Sequence, residues 1–398
     1  MSQLKILFIT GGTHTRDNRN LNHHQRVHFL SRQAELTILA RKGADFSVSA
    51  KAGTPVVRSP MGGKAGQVLY GLWWALLHGR RQRYDLVVTE PSKLCLVGAI
   101  IKMVTGARWV VDVWDIPLRR RPGGVLAKWG NRLERSILAV LFRGADLFLL
   151  SIVPDHEFRV FGIPSRKLKL FSNAIWLDEL LGAGTVTPGL EGGPFRILSM
   201  RSVYSPDSGL DLLAEAFAAF RAGGRDAVLT IVGRIPPDVS SQVQGLRVRD
   251  DVIFHDFVTH DELTVMIRES SVCVVTFRDS PDLRQTYPVK VLEYLALGAV
   301  LLVPSLDGIT RIVRDGYNGL VFKADDSKDL LSGLIRLHGD PELGKRLSVN
   351  GRVLDSSHDC RVKAQEVLRA LTELVGSGRA AAEPETTGPG EPMTGDRT

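Results

Sequence analysis

Two blocks of alternating strand and helix patterns follow each other along the chain, and this alternation limits the fold more than any other feature. The first block starts at LKILFIT, 4–10, and the second at FRILSM, 195–200. Strands that alternate with helices form parallel sheets that helices cover on both faces. The pattern therefore predicts an α/β protein with two Rossmann-like, doubly wound domains that face each other across a cleft.

A connector rich in glycine and proline, LLGAGTVTPGLEGGP, separates the two blocks. We predict a first domain at 1–175, a linker at 176–194, a second domain at 195–356, a helix at 357–376 and a disordered tail at 377–398. The tail lacks the large apolar side chains that a packed core needs. Strands are predicted at 4–10, 35–40, 85–89, 108–111, 146–151, 195–200, 227–233, 252–255, 272–277 and 299–303.

Neither block carries the glycine spacing of two common nucleotide sites. The G-x-G-x-x-G of dinucleotide enzymes and the G-x-x-x-x-G-K-[ST] of P-loop proteins are both missing from the sequence, so these classes are disfavoured. Cys95, Cys273 and Cys360 are far apart and form no metal-ligand spacing. Buried thiols in a reducing compartment explain them most simply, and we predict a cytoplasmic protein.

Charge is distributed unevenly along the chain. Residues 1–174 contain 27 Lys or Arg and 11 Asp or Glu, whereas the remaining residues contain 24 and 32. The first part is therefore strongly basic and the second is acidic. This asymmetry predicts an anionic partner for the first domain, such as a membrane surface or nucleic acid. A basic face that contacts only solvent is the alternative.

The stretch TYPVKVLEYLALGAVLLVPS contains a predicted helix at 289–297 with charged residues near its start. Pro288 suits the first helical position, and Gly298 suits the position just past the end. Lys290 and Glu293 share one face of this helix, beside the free N–H groups that favour phosphate at a helix start. They predict a nucleotide site, in which a carboxylate accepts hydrogen bonds from ribose hydroxyls. A Lys–Glu pair on a solvated surface is the alternative.

The segment YPVKVLEYLALGAVLLVPSLDGITRIVRDGYNGLVF, 287–322, resembles the donor-binding signature of the family-four retaining glycosyltransferases, or glycosyl transferases group 1. The segments GLDLLAEAF at 209–217, LTIVG at 229–233 and HDFVTHDEL at 255–263 resemble other parts of the same domain, and 144–175 resembles the end of the first domain. The resemblance implies the GT-B fold and a retaining, metal-independent transfer. It also implies a UDP- or GDP-linked sugar donor, held mainly by the second domain, and no cofactor.

The resemblance implies roles for residues at the family's motif positions. Glu293 matches the glutamate that contacts the donor ribose, and Arg201 matches the arginine that neutralises the diphosphate. Gly11 and Gly12 match the glycine loop close to the donor phosphates, where only backbone without a Cβ fits; an ordinary strand-to-helix turn explains them too. Arg201 and Lys290 are predicted to stabilise the leaving diphosphate. No two aspartates have Asp-x-Asp spacing, and no metal site is predicted.

Three positions depart from the family pattern. Gln285 stands where a first glutamate is usual, Ser208 where a lysine is usual and Arg311 where a glutamate is frequent. Gln285, a candidate catalytic residue, donates and accepts hydrogen bonds but carries no charge. These departures indicate either an altered donor geometry or weak catalysis.

Polar residues also follow the first-domain strands. Asp112 and Asp115, in VVDVWDIP, are predicted to face the cleft and to orient an acceptor or donor hydroxyl as catalytic residues. A helix cap or a loop turn explains them equally well. Near the first loop, His14 and His23 are predicted to contact donor or acceptor rather than a metal, because no acidic or cysteine ligand completes a metal site.

Two segments of the basic first domain combine tryptophan with arginine and predict an acceptor- and membrane-facing surface. One contains Trp73 and Trp74, and the other has Trp129 in an amphipathic helical pattern after Arg119, Arg120 and Arg121. Such a helix suits a lipid headgroup region, although packing in a core explains the apolar stripe as well. We predict peripheral association with the inner face of the membrane.

Together these features predict a retaining glycosyltransferase that transfers a sugar from a nucleotide-diphosphate donor to a lipid-linked or envelope-glycan acceptor. The predicted partners are the donor, the acceptor and an anionic membrane surface, but not nucleic acid, because no nucleic-acid-binding module is recognisable. Two alternatives stay open. One is a catalytically weak GT-B protein that serves as partner or scaffold of another transferase, and the other is a sugar-nucleotide epimerase.

Overall fold

The computed structural model describes most of the chain. The described residues are 3–12, 14, 22–114, 125–151, 158–159, 161–182, 192–247, 249–285, 287–354 and 356–380. The predicted tail, apart from its first residues, lies outside this part of the chain, as do Asp115, Arg119, Arg120 and Arg121.

The first domain is built on a seven-stranded sheet in which every pair of neighbouring strands is parallel. Its strand order is β3-β2-β1-β4-β5-β6-β7, so the order reverses between β1 and β4. The strands are β1 Lys5–Thr10, β2 Glu35–Ala40, β3 Val56–Arg58, β4 Leu86–Thr89, β5 Arg108–Val113, β6 Leu147–Leu150 and β7 Leu168–Leu170.

The second domain repeats this arrangement with six parallel strands in the order β10-β9-β8-β11-β12-β13. Here the order reverses between β8 and β11. The strands are β8 Phe195–Val203, β9 Ala227–Arg234, β10 Val252–His255, β11 Val272–Val274, β12 Leu301–Pro304 and β13 Leu320–Phe322.

Helices connect the strands and cover both faces of each sheet, as parallel pairing requires. In the first domain and the linker they are α1 Asn22–Gln33, α2 Gly63–Gln82, α3 Cys95–Thr105, α4 Val125–Arg143 and α5 Leu177–Gly182. The later helices are α6 Leu210–Ala222, α7 Pro237–Ser240, α8 Gln244–Arg247, α9 His260–Glu269, α10 Pro281–Arg284, α11 Val289–Leu297, α12 Asp307–Thr310, α13 Ser327–Gly339, α14 Pro341–Gly351 and α15 Cys360–Ala380. No helix in the described part of the chain is long and apolar enough to span a membrane.

The predicted parallel α/β architecture is confirmed, and each of the ten predicted strands is present. The sequence patterns missed β3, β7 and β13, which have three residues each and lie at sheet edges. A three-residue strand is too short to show a recognisable hydrophobic period. Most β7 side chains are also exposed, so no apolar run marks this strand.

The core of the first domain explains why its strands appear in the sequence as continuous runs of apolar residues. Along β1, Ile6 and Phe8 contact one buried cluster, while Leu7 and Ile9 contact another on the opposite face of the sheet. Helices α2, α3 and α4 cover the face of Leu7 and Ile9. Helix α1 covers the other face, so both sides of the strand are buried.

The last helix returns to the first domain. Side chains of α15 at Val367, Leu371 and Val375 complete the buried cluster around Ile6 and Phe8. This helix is longer than the predicted helix at 357–376, because it continues to Ala380. Its amphipathic pattern thus serves the first domain, although the chain reaches it only after the second.

Strand β8 contains a bulge at the end that faces the candidate site. The pairing of β8 with β9 shifts between Met200 and Val203, which places one extra residue on β8. Opposite the bulge, Gly233 has a φ of +130°, and a Cβ there would lie 1.7 Å from the backbone oxygen of Arg201. Only glycine fits this position, so Gly233 fixes the path of the chain at Arg201.

Replacement of Gly233 by alanine tests this constraint. We expect Gly233→Ala to lower the free energy of unfolding by about 3 kcal/mol or more, because the new Cβ adds both backbone strain and a clash. Urea unfolding measures the change. The control is Gly339→Ala, where a Cβ meets nothing within 4 Å and we expect a gain of up to about 1 kcal/mol. Equal stabilities of Gly233→Ala and the wild type would contradict the proposed constraint.

Candidate functional site

The strand orders indicate where each domain binds a ligand. In open parallel sheets, ligands bind at the carboxyl ends of strands, where the strand order reverses. In the first domain this point lies between β1 and β4, next to Gly11, Gly12 and Glu90. In the second domain it lies between β8 and β11, next to Arg201 and Phe277.

Arg201 lies in the β8 bulge and stacks on an aromatic ring. Its guanidinium carbon is 4.3 Å from the centroid of the Phe277 ring, close enough for a cation–π interaction. The bulge fixes the backbone and the ring fixes the side chain. Arg201 is therefore held in place before any ligand binds.

Helix α11 brings two further predicted residues to Arg201. The helix spans the predicted residues, with Pro288 as its N-cap and Gly298 closing it in the left-handed region at φ +78°. In its first turn, Lys290 donates a hydrogen bond from Nζ to the backbone oxygen of Met200 at 2.7 Å. This bond ties the start of α11 to the residue before Arg201.

Lys290 is a cation with a strongly lowered pKa. Burial and, to a smaller extent, the charge of Arg201 lower its pKa to about 7, while the charge of Glu293 opposes the shift. Lys290, Arg201 and Glu293 are therefore close enough to influence one another electrically. Lys290 is thus buried and hydrogen-bonded to Met200, whereas the alternative of a surface Lys–Glu pair requires an exposed amine.

Two of the positions that depart from the family pattern contact each other. Gln285 donates from Nε2 to Oδ2 of Asp307 at 2.7 Å and accepts at Oε1 from Nη2 of Arg311 at 3.1 Å. An amide satisfies an acceptor and a donor at once, whereas a carboxylate at 285 would face the carboxylate of Asp307. The amide of Gln285 thus suits both neighbours, because it donates to Asp307 and accepts from Arg311.

Ser208 has a structural partner as well. Its buried hydroxyl accepts a hydrogen bond from the backbone N–H of Ser205 at 2.7 Å, as half of a capping box. This short side chain closes the turn before α6. It does not extend towards a ligand as the family's usual lysine would.

The glycine loop of the first domain is occupied by internal hydrogen bonds. The N–H of Gly11 donates to Oε1 of Glu90 at 3.0 Å, and the N–H of Gly12 donates to Oγ1 of Thr10 at 2.9 Å. The Thr10 hydroxyl donates to Glu90 as well. A phosphate at this loop requires these N–H groups to exchange partners, so phosphate contact by Gly11 and Gly12 stays a prediction.

Glu90 is the polar residue that the sequence patterns missed. Burial raises the pKa of its carboxyl, although the hydrogen bonds from Thr10 and Gly11 oppose the rise. The signal was present in DLVVTE, where a carboxylate follows a buried strand directly. Such a residue lies at the ligand edge of a parallel sheet.

The structure corrects the prediction that Asp112 faces the cleft. The residue is only 1% exposed, and its Oδ2 lies 3.6 Å from Nε of Arg26 on α1. Burial raises the pKa of Asp112, and the charge of Arg26 opposes the rise. Asp112 therefore forms a buried ion pair between β5 and α1, because its strand is covered on both faces.

Three histidines and a tryptophan form a cluster of tilted rings beside the glycine loop. The ring of His14 lies 4.9 Å from the rings of His23 and His24, and His23 lies 4.9 Å from Trp114. Burial lowers the pKa of His14 to about 3 and that of His23 to about 4. His14 and His23 are thus neutral at physiological pH, and they offer hydrogen bonds without charge.

This cluster is not arranged as a metal site. Nδ1 of His14 lies 2.6 Å from the hydroxyl of Ser49, which uses one of its two nitrogens within the protein. Among the residues that the structure describes, no three His, Cys, Asp or Glu side chains converge as metal ligands would. Metal independence of the reaction itself stays a prediction.

The predicted acceptor and membrane tryptophans have different environments. Trp73 on α2 and Trp129 on α4 are 52% and 65% exposed, in agreement with a surface role. Trp74 is only 5% exposed and stacks on His78, so the prediction that it lies at a membrane-facing surface is wrong. The helical period explains the difference, because consecutive residues of α2 point about 100° apart.

Comparison with known proteins identifies the second domain. The family model of the glycosyl transferases group 1 matches residues 194–340, which include Arg201, Gln285, Lys290 and Glu293. The resemblance seen in the sequence is thus confirmed for residues 194–340, which are similar to the glycosyl transferases group 1.

Two characterised relatives extend the similarity beyond this domain. The α-D-kanosaminyltransferase of Streptomyces kanamyceticus is 24% identical over 261 residues, which are 63% of this chain and 64% of the relative. The phosphatidyl-myo-inositol mannosyltransferase of Mycobacterium leprae is 25% identical over 279 residues, 66% of this chain and 70% of the relative. The match to the first relative thus spans less than two thirds of its length.

A solved structure shows the same fold over nearly the whole chain. The protein HepE of Anabaena, in complex with UDP and glucose, superimposes with a TM-score of 0.70 at 17% identity, covering 93% of this chain and 99% of HepE. The chain therefore has the GT-B fold, with its two Rossmann-like domains, as the sequence predicted.

The Gln285 contacts predict that restoring the family's usual carboxylate is unfavourable here. Gln285→Glu should lower the free energy of unfolding by about 0.5–1 kcal/mol, a small cost because the groups are close to solvent. In the double variant Gln285→Glu/Asp307→Asn, an amide faces a carboxylate again, and we expect most of the loss to be recovered. Urea unfolding of the four proteins of this cycle measures the coupling. Strictly additive effects would mean that Gln285 and Asp307 do not interact in solution.

Proposed function

We propose that this protein is a glycosyltransferase that transfers a sugar from a UDP- or GDP-linked donor. The observation that supports this proposal is the meeting of Arg201, Lys290 and Glu293 at the ligand edge of a group 1 domain. The fixed guanidinium of Arg201 and the buried amine of Lys290 suit the diphosphate of a nucleotide sugar. The carboxylate of Glu293 suits its ribose.

The positive groups perform the main chemical task in this proposal. Cleavage of the donor's glycosidic bond leaves charge on the diphosphate, and cations that are already in place stabilise that charge without reorganising. Arg201 is held by the bulge and by Phe277, and Lys290 is held by Met200. The Glu293 carboxylate accepts hydrogen bonds from the ribose hydroxyls, as acidic residues do at other nucleotide sites.

We further propose that the sugar is transferred with retention and without a divalent metal. The family resemblance and the absence of Asp-x-Asp spacing support this, since that spacing is a usual clamp for metal and diphosphate. A transfer reaction in the presence of a chelator tests the metal part. The anomeric configuration of the product, read by NMR, tests retention.

The acceptor in this proposal is lipid-linked or an envelope glycan, and the enzyme works at the inner face of the membrane. The name of the Mycobacterium leprae relative includes a lipid, phosphatidyl-myo-inositol, which supports the first alternative. The neutral ring cluster of His14, His23 and Trp114 supports an acceptor with uncharged hydroxyl groups.

Calorimetric titration tests the donor site directly. We expect one of UDP, GDP and ADP to bind the wild type in buffer without divalent metal, and Glu293→Ala to weaken this binding at least tenfold. The loss follows from the hydrogen bonds that a carboxylate makes to two hydroxyls, about 1.5–3 kcal/mol for a charged acceptor. The matched control is Glu269→Ala, which removes an exposed carboxylate at the end of α9 and should leave affinity unchanged.

These titrations and an incubation with the nucleotide sugar alone distinguish the alternatives. Binding of none of the three nucleotides would overturn the proposal and favour the scaffold. Conversion of the donor sugar in the absence of any acceptor would favour the epimerase instead.

The lowered pKa of Lys290 predicts that the protein takes up protons from the buffer when it binds a nucleotide. At pH 8 an amine with a pKa of about 7 is mostly neutral, and a diphosphate beside it raises this pKa and favours the protonated form. The binding enthalpy should therefore vary with the ionisation enthalpy of the buffer. Lys290→Met should bind more weakly and show no such dependence. Equal proton uptake by the variant would assign the protonation to another group.

A further inference from the structure

Helices α2, α3 and α4 each present large apolar side chains to solvent. Their inward side chains fill the core, among them Trp74, Val97 and Phe142. On the outer side, large apolar residues are exposed on all three helices. We call this set the three-helix apolar face: Leu69, Trp73, Leu76 and Leu77 of α2, Met103 of α3, and Trp129, Leu133, Ile137 and Val140 of α4.

The spacing of these residues shows that α4 has an exposed apolar stripe beside the one that packs in the core. On α4 the exposed residues recur every three or four positions, the period of one helix face. A helix that only packs in a core has one such stripe, whereas α4 has a second stripe that the core does not use. The alternative of simple core packing accounts for Leu138 and Phe142, but not for Trp129 and Leu133.

Close packing of the helices makes the exposed residues one surface. A Cβ on Gly71 of α2 would lie 3.1 Å from the side chain of Val97 on α3, so glycine lets the two helices approach. Helix α3 also contacts α4. Met103, which is 76% exposed, therefore lies on the helix between the stripes of α2 and α4.

The charges on these helices are mostly positive. Their sequences contain a single carboxylate, Glu134. The guanidinium carbon of Arg132 lies 5.9 Å from the ring of Trp129, so a cation borders the apolar stripe directly. The basic residues of the three helices are Lys64, Arg80, Arg81, Lys102, Lys128, Arg132, Arg135 and Arg143.

We propose that the three-helix apolar face docks on the surface of an anionic lipid bilayer. Exposed tryptophan and leucine enter the interfacial region, and the bordering arginines contact lipid phosphates. A second copy of the chain is a poorer occupant, because a symmetric contact would bring the two basic faces together. The inference deepens the proposed function, on which it rests, by naming the surface that brings the enzyme to a lipid-linked acceptor.

Flotation of the full chain with lipid vesicles tests the proposal. We expect binding to phosphatidylcholine vesicles that contain phosphatidylglycerol, and at least tenfold weaker binding to pure phosphatidylcholine. The triple variant Trp73→Ser/Trp129→Ser/Leu133→Ser should lose at least tenfold in binding. Its matched control is Phe257→Ser/Val349→Ser/Val353→Ser, which removes equally exposed apolar residues of the second domain and should bind as the wild type does.

A charge variant separates the electrostatic contribution. Arg81→Glu/Arg132→Glu should weaken binding to the anionic vesicles at least tenfold, and raised salt should weaken wild-type binding in the same direction. The control Lys328→Glu/Arg336→Glu makes the same change of charge on α13 and should have no effect. Brominated lipids should quench tryptophan fluorescence in the wild type but not in the triple variant, which reports insertion rather than folding.

Several outcomes would overturn the proposal. The first is that the wild type does not bind the anionic vesicles, and the second is that the triple variant and its control lose vesicle binding equally. The third is that the wild type is a dimer that does not bind vesicles, and that the triple variant is a monomer. Nucleotide titration of the same proteins keeps the two proposals apart, because the donor residues lie in the second domain. Vesicle binding without nucleotide binding would contradict the donor site alone.

Discussion

The carboxyl end of strand β8 is the point on which the candidate donor site depends. Two contacts fix it: Gly233 lets the neighbouring strand approach, and the amine of Lys290 donates a hydrogen bond to the carbonyl of Met200. Arg201 follows directly, and its guanidinium lies over the Phe277 ring. Strand β8, helix α11 and Arg201 thus form one unit, in which backbone contacts position the donor-binding candidates.

The two domains use their charged residues differently at equivalent places in the fold. In the second domain, Arg201 and Lys290 lie at the sheet edge, where we propose that the donor diphosphate binds. In the first, Glu90 accepts a hydrogen bond from the nearby backbone, Asp112 and Arg26 form an ion pair, and His14 and His23 are neutral. Eight of the 27 basic residues at 1–174 lie on helices α2, α3 and α4, which carry one carboxylate. This contrast supports the proposal of a diphosphate site in the second domain and of an uncharged ligand in the first.

Local patterns predicted the elements well, because a buried parallel strand and an amphipathic helix each leave a periodic signal. Helix α11 and its closing glycine were predicted to the residue. The pairs Gln285–Asp307 and Asp112–Arg26 left no such signal, since each joins positions that meet only after folding. The burial of Trp74 was missed for a related reason. Two adjacent tryptophans look alike in a sequence, and only the packing of α2 decides which one is covered.

The return of helix α15 gives the chain two crossings between the domains, and they lie side by side. At the first crossing, the N–H of Ile175 donates to the backbone oxygen of His358, and the N–H of Cys360 donates back to the oxygen of Ile175. These paired hydrogen bonds oppose separation of the two segments of chain. A change in the angle between the domains would therefore have to bend the chain at both crossings together.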